Sequence, residues 1–126
     1  MNVLVIEDHA TDRKLLSVVL KMDGHIVHER SSAEEAAEAI VAIAPDIVLL
    51  DLRLPGMDGL TLVRQLKSSE ATRYVPIVVV TAYPESYPRE ELLSAGCDAY
   101  ILKPIDTREL PRQLEEVAAR KSGQAV

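Results

Sequence analysis

The 126-residue chain has no tryptophan, no phenylalanine and only four tyrosines, so Leu, Val, Ile and Ala must fill its core. Its single cysteine, Cys97, excludes an internal disulfide and suits a reducing compartment. Beside Gly96 it reads as a small buried residue. No apolar run approaches the roughly 20 residues of a bilayer span, which excludes membrane insertion. The amino terminus leads straight into an apolar run, with no basic stretch and no small-residue cleavage site, so a secretory signal is not expected and a cytoplasmic location is. Cations are scarce: 14 Lys and Arg stand against 20 Asp and Glu, for a net charge of −6. Direct nucleic-acid binding, which needs clustered Lys and Arg, is therefore not expected. A glycine-rich phosphate cradle is also missing. The first apolar run leads into Glu7-Asp8-His9-Ala10-Thr11-Asp12, which would repel the phosphate of a flavodoxin-type cofactor. His9, His25 and His28 share no ligand spacing with a fourth group and read as surface or edge residues, with His9 near enough to the acids to affect access.

What is present is an ordinary globular balance, with 48% hydrophobic and 27% charged residues and a mean hydropathy of +0.06. This fits one domain, expected over residues 1–121, with 122–126 a frayed tail. The chain is organised around Ile47-Val48-Leu49-Leu50-Asp51, an apolar run without polar alternation that ends in an acid, with Pro55-Gly56 soon after. Such a run reads as a strand buried on both faces. Val3 to Ile6, Ile77 to Thr81 and Ala99 to Leu102 are of the same kind, and the more polar run from Gly24 to Glu29 reads as a strand nearer an edge. Between them lie helical patterns. Leu15, Leu16, Val19, Leu20 and Met22 recur at helical spacing before Gly24. Ser32 and Glu35 have capping-box spacing, and Ala36, Ala37, Ile40 and Ile43 line the helix they open. Leu60, Leu62, Val63 and Leu66 form a third pattern. A fourth is placed from about Pro88 to Ala95, with Gly96 as its stop. The fifth starts from Asp106-Thr107 and carries Leu110, Leu114, Val117 and Ala118, with Pro111 predicting a late start or a kink. Strands alternating with helices predict right-handed crossovers and a doubly wound α/β fold with a five-stranded parallel sheet covered by five helices.

The carboxyl ends of those strands carry Glu7 and Asp8, Asp51, Thr81 and Lys103, at the sheet edge where open α/β folds place ligands. Two carboxylates about 4 Å apart repel by roughly 4 kcal/mol at an effective dielectric of about 20, so three together need a cation or a shifted pKa. Mg²⁺ (or Mn²⁺) is the expected cation, with Asp8 and Asp51 as direct ligands, the Arg53 carbonyl as a third and Glu7 acting through water. Asp51 can then attack phosphorus and form an acyl phosphate. Lys103 supplies a mobile positive charge, Thr81 a hydroxyl donor and Ala82 a backbone N–H for the phosphoryl oxygens.

The acidic pair at 7–8, Asp51 within Asp-Leu-Arg-Leu-Pro-Gly-Met-Asp-Gly, Thr81-Ala82 and Lys103-Pro104 resemble the receiver domain of two-component response regulators, over residues 2 to 120. The resemblance implies a flavodoxin-like (βα)5 fold with strand order 2-1-3-4-5. It makes Asp51 the phosphoacceptor, and it implies a cis Lys103-Pro104 peptide. It gives Tyr100 the role of a switch aromatic that follows Thr81, and makes the helix 4–strand 5–helix 5 face the output surface. A histidine kinase or histidine phosphotransfer protein would be the donor, and a downstream protein the reader. The chain would catalyse only its own phosphorylation and dephosphorylation. Pro84 and Pro88 depart from the usual run into helix 4, and Arg53 and Tyr83, at variable positions beside the acyl phosphate, are expected to set its lifetime. Other readings are an Asp-nucleophile phosphatase or phosphotransferase, and a receiver-like scaffold that is never phosphorylated. The enzyme reading wants an acid two residues past the nucleophile, where Arg53 stands.

Overall fold

A computed structural model describes residues 1–52, 59–82 and 88–121. Five parallel strands form one sheet, β1 (Asn2–Ile6), β2 (Ile26–Arg30), β3 (Ile47–Asp51), β4 (Ile77–Thr81) and β5 (Ala99–Leu102), in the order β2-β1-β3-β4-β5. The helices are α1 (Ala10–Met22), α2 (Ala36–Ile43), α3 (Gly59–Ser68), α4 (Arg89–Ala95) and α5 (Leu110–Lys121). The expected architecture and strand order are those observed. The expected tail at 122–126 lies outside the described residues.

The pleat of the central strands divides the core in two, because successive side chains point to opposite faces. Leu4, Ile6, Val48, Leu50, Ile77 and Val79 pack with α2, α3 and α4. Val3, Val5, Ile47, Leu49, Val78 and Val80 pack with α1 and α5. Burial on both faces is why these strands carry unbroken apolar runs. That account does not extend to β5. It is an edge strand, only half-buried, and Leu102 is exposed.

Several helical details differ from the sequence reading. The inward stripe of α1 is Leu16, Ser17 and Leu20, while Leu15 is 51% and Met22 83% exposed. At about 100° per residue, Leu15 and Met22 fall roughly opposite the stripe centred on Leu20. In α2 the buried positions are Ala36, Ala39 and Ile40, and Ala37 is exposed. Ser32 and Glu35 do not form a capping box. Their side chains bond to each other, Ser32 Oγ donating to Glu35 Oε1 at 2.9 Å, and a 3-10 turn over Ala33–Glu35 precedes α2. At the other end α2 stops on Ala44, held in the left-handed region at φ 51°. Helix α5 does start late. Asp106 Oδ1 accepts the Arg108 N–H and its carbonyl accepts the Leu110 N–H, each at 3.0 Å. Pro111 then falls in the first turn, where no donor is needed.

Two contacts set the site loops. Gly59 opens α3 with its N–H on the Leu52 carbonyl at 2.9 Å. A Cβ there would lie 2.5 Å from Leu52 Cα, so only glycine lets α3 start this close to the end of β3. On the far strand the Lys103 N–H bonds the Thr81 carbonyl at 2.9 Å, and the Lys103-Pro104 peptide is cis.

Candidate functional site

Parallel register brings the chemistry together. Ile6 pairs with Leu50, Asp51 with Val80 and Thr81 with Leu102. Glu7, Asp51, Thr81 and Lys103 therefore stand at the last rung of their strands or one step past it, along one carboxyl edge. Lys103 Nζ donates to Asp51 Oδ2 at 2.9 Å and to Glu7 Oε1 at 3.5 Å. Glu7 is 2% and Asp51 8% exposed, and Asp8 is exposed. The carboxylate oxygens of Glu7, Asp8 and Asp51 lie within 4.8 Å of one another. A cavity of about 470 Å³ opens beside them, with Glu7, Asp51, Ala82 and Lys103 in its wall and Leu16 and Ile105 on its apolar side.

Charge in this pocket is poorly balanced. Burial pushes the Glu7 carboxyl up to about 8, and its hydrogen bond and charge contact with Asp51 push the same way, against the pull of the His9 N–H and Lys103. Burial is the largest of these causes, so the pocket disfavours a charge on Glu7. Burial disfavours the charge on Lys103, but hydrogen bonds and attraction to Asp51 and Glu7 outweigh it and raise its pKa.

Thr81 is buried at the end of β4, and Ala82 is exposed at the cavity wall. Tyr100 is half-buried and packs on the core of the α2–α4 side, paired with Val79 two residues before Thr81. Arg53 and Tyr83 lie outside the described residues, as do the Arg53 carbonyl as metal ligand and Pro84. One residue escaped the sequence reading. Arg13 Nη1 donates to the Glu7 carbonyl at 2.8 Å and reaches the Asp8 carbonyl at 3.4 Å, so the second turn of α1 grips the backbone of the acidic pair. A basic residue one turn into the helix that follows two acids was the available signal.

The response regulator receiver domain family model matches residues 3–115. The chain is a response regulator receiver domain. The phosphate regulon transcriptional regulatory protein PhoB of Pseudomonas aeruginosa is 38% identical over 118 residues, covering 94% of this chain and 52% of that protein. The receiver spans about half the length of the transcriptional regulators it matches. Among solved structures, a putative response regulator from Chloroflexus aurantiacus superposes with a TM-score of 0.87 at 31% identity, covering 94% of this chain and 98% of that one. The receiver domain of the sensor histidine kinase PA1611 from Pseudomonas aeruginosa, solved with magnesium in its active-site cleft, gives 0.84 at 30% identity, covering 94% and 97%. Receivers are regulatory units of two-component signal transduction that meet histidine kinases or phosphotransfer proteins. No helix among the described residues is long and apolar enough to cross a membrane.

Proposed function

We propose that this receiver is a Mg²⁺-dependent phosphorylation switch, that residues 1–121 are its working unit, and that Asp51 is the acceptor. The observation that carries the reading is the buried Asp51 carboxylate held at 2.9 Å by Lys103, beside Glu7 and Asp8 and at the wall of an open cavity. One oxygen of Asp51 attacks the phosphorus of a phosphohistidine on a kinase or phosphotransfer protein. The P–N bond breaks, and its electron pair stays on the imidazole nitrogen, which takes up a proton. Lys103, already bonded to Asp51, is placed to meet the added negative charge, and Thr81 and the Ala82 N–H are the further donors.

The donor set fits a hard dication. It is all oxygen, with ligand atoms of three carboxylates within 4.8 Å of one another and two of the three side chains buried. Asp8 and Asp51 would hold the ion with the Arg53 carbonyl, Glu7 standing beside them. It would supply the positive charge that a transferring phosphoryl group needs. The related receiver with magnesium in its cleft supports this assignment.

The response would pass from Thr81 to Tyr100 and alter the face of α4, β5 and α5, where Leu93 and Leu102 are exposed and available to a protein reader. Arg53 and Tyr83 would tune the lifetime of the phosphoryl group. The chain would act in the cytoplasm and turn over no substrate beyond its own acyl phosphate. Incubation with acetyl phosphate and Mg²⁺ followed by intact mass is the test. The expected result is a gain of one phosphoryl group, abolished by EDTA and in Asp51→Asn. Phosphorylation that survives Asp51→Asn would overturn the assignment, and steady phosphate release from many small esters would move the chain to the phosphatases.

A further inference from the structure

A second ligand cluster lies at the opposite end of the sheet. His25 follows the turn after α1 and leads into β2, an edge strand, as one of its two readings had it, and its side chain is only 8% exposed. Its Nε2 faces Glu115 Oε2 on α5 at 3.2 Å and Asp23 Oδ2 at 3.4 Å. Those two carboxylates are each half exposed. The three ligand atoms lie within 4.8 Å of one another. Nδ1 is turned to the Met1 amine nitrogen at 3.1 Å, which fixes the ring so that Nε2 addresses the carboxylates. The pieces come from three places in the chain, the turn, the lead into β2 and α5.

We propose that Asp23, His25 and Glu115 form a site for a first-row divalent transition metal, Zn²⁺ above all, that ties α5 to the α1–β2 turn. One imidazole nitrogen and two carboxylates suit Zn²⁺, and water would complete the coordination. An imidazole ligand disfavours Mg²⁺, which prefers oxygen. The two ends of the sheet thereby select different metals. Zn²⁺ would take the place of a proton at Nε2, and that proton would leave to solvent as the ion binds. Six residues of extended chain, roughly 20 Å, separate this cluster from Glu7, so neither ion can occupy the other's place.

The test is a calorimetric titration of the full chain with Zn²⁺ in saturating Mg²⁺, together with ¹⁵N-detected imidazole spectra. One Zn²⁺ per chain is expected, with the His25 ring nitrogens shifted, those of His9 and His28 unmoved, and Tm raised by the ion. Affinity should fall about tenfold or more in Glu115→Gln and vanish in His25→Gln. Glu115 is exposed, so Glu115→Gln decides the matter should His25→Gln fail to fold. No uptake of Zn²⁺, equal affinity in wild type and Glu115→Gln, a shift of His9 in place of His25, or displacement by Mg²⁺ would each overturn the proposal.

Discussion

The two ends of the sheet treat charge in opposite ways. At the amino end, almost every described acid near the strands is given a donor. Asp46 Oδ2 accepts the Asn2 N–H at 2.7 Å, and Asp98 Oδ2 accepts both the Ile77 N–H at 2.8 Å and Lys67 Nζ at 3.2 Å. Lys67 also donates to the Val75 carbonyl at 2.7 Å. At the carboxyl end Glu7 and Asp51 are buried together, and one ammonium reaches both. Stability alone would favour the first arrangement, since a buried carboxylate without full compensation costs several kcal/mol. The carboxyl end carries that cost, which the proposed cation would relieve.

That contrast can be broken from either end. The largest effect is expected from Lys103→Met. Phosphorylation by acetyl phosphate, followed by intact mass over time, should slow roughly 100-fold, as when one stabilising donor is lost. Lys67→Met should leave that rate within a factor of about two while lowering the urea midpoint, because its ammonium serves backbone and Asp98. Equal slowing in both variants would erase the distinction. Next in size is Gly59→Ala, whose Cβ meets the Leu52 backbone. About 2 kcal/mol of lost stability is expected by urea denaturation, within the usual range for overpacking.

A smaller effect belongs to Cys97. Burial first, then the Asp98 charge, pushes its thiol up to about 11. The unfolded chain therefore loses this proton first as pH rises above about 9, and the stability contribution, full below that pH, is lost toward pH 11. Alkylation by iodoacetamide at pH 8 should be slow in the folded chain and fast in urea. Fast labelling of the folded chain would show that the amino end is looser than its hydrogen bonds imply. The smallest effect is a gain. Ala44→Gly should add about 0.5–1 kcal/mol, since the left-handed backbone there strains alanine and not glycine.

The alternating pattern and the apolar strand runs made the fold legible, because burial on both faces leaves a signal in composition itself. Asp51, Glu7, Asp8, Thr81 and Lys103 were legible for a related reason. Each stands where an apolar run stops, and parallel pairing then does the gathering. What failed was finer. Leu15 and Met22 belong to the same helical pattern as Leu16 and Leu20, yet they are exposed. Ser32 and Glu35 had the spacing of a capping box, but their side chains found each other first. His25 and Glu115 are 90 residues apart, and no local pattern could announce their contact. Arg13 acts through the Glu7 and Asp8 carbonyls, and only its place one turn into the helix after two acids hinted at that.

The amide of Lys103 is locked to the carbonyl of Thr81. The ends of β4 and β5 are thereby joined beside the pocket. Should Asp51 accept a phosphoryl group as proposed, the Thr81 hydroxyl and the Lys103 ammonium would meet it from one joined pair of strand ends.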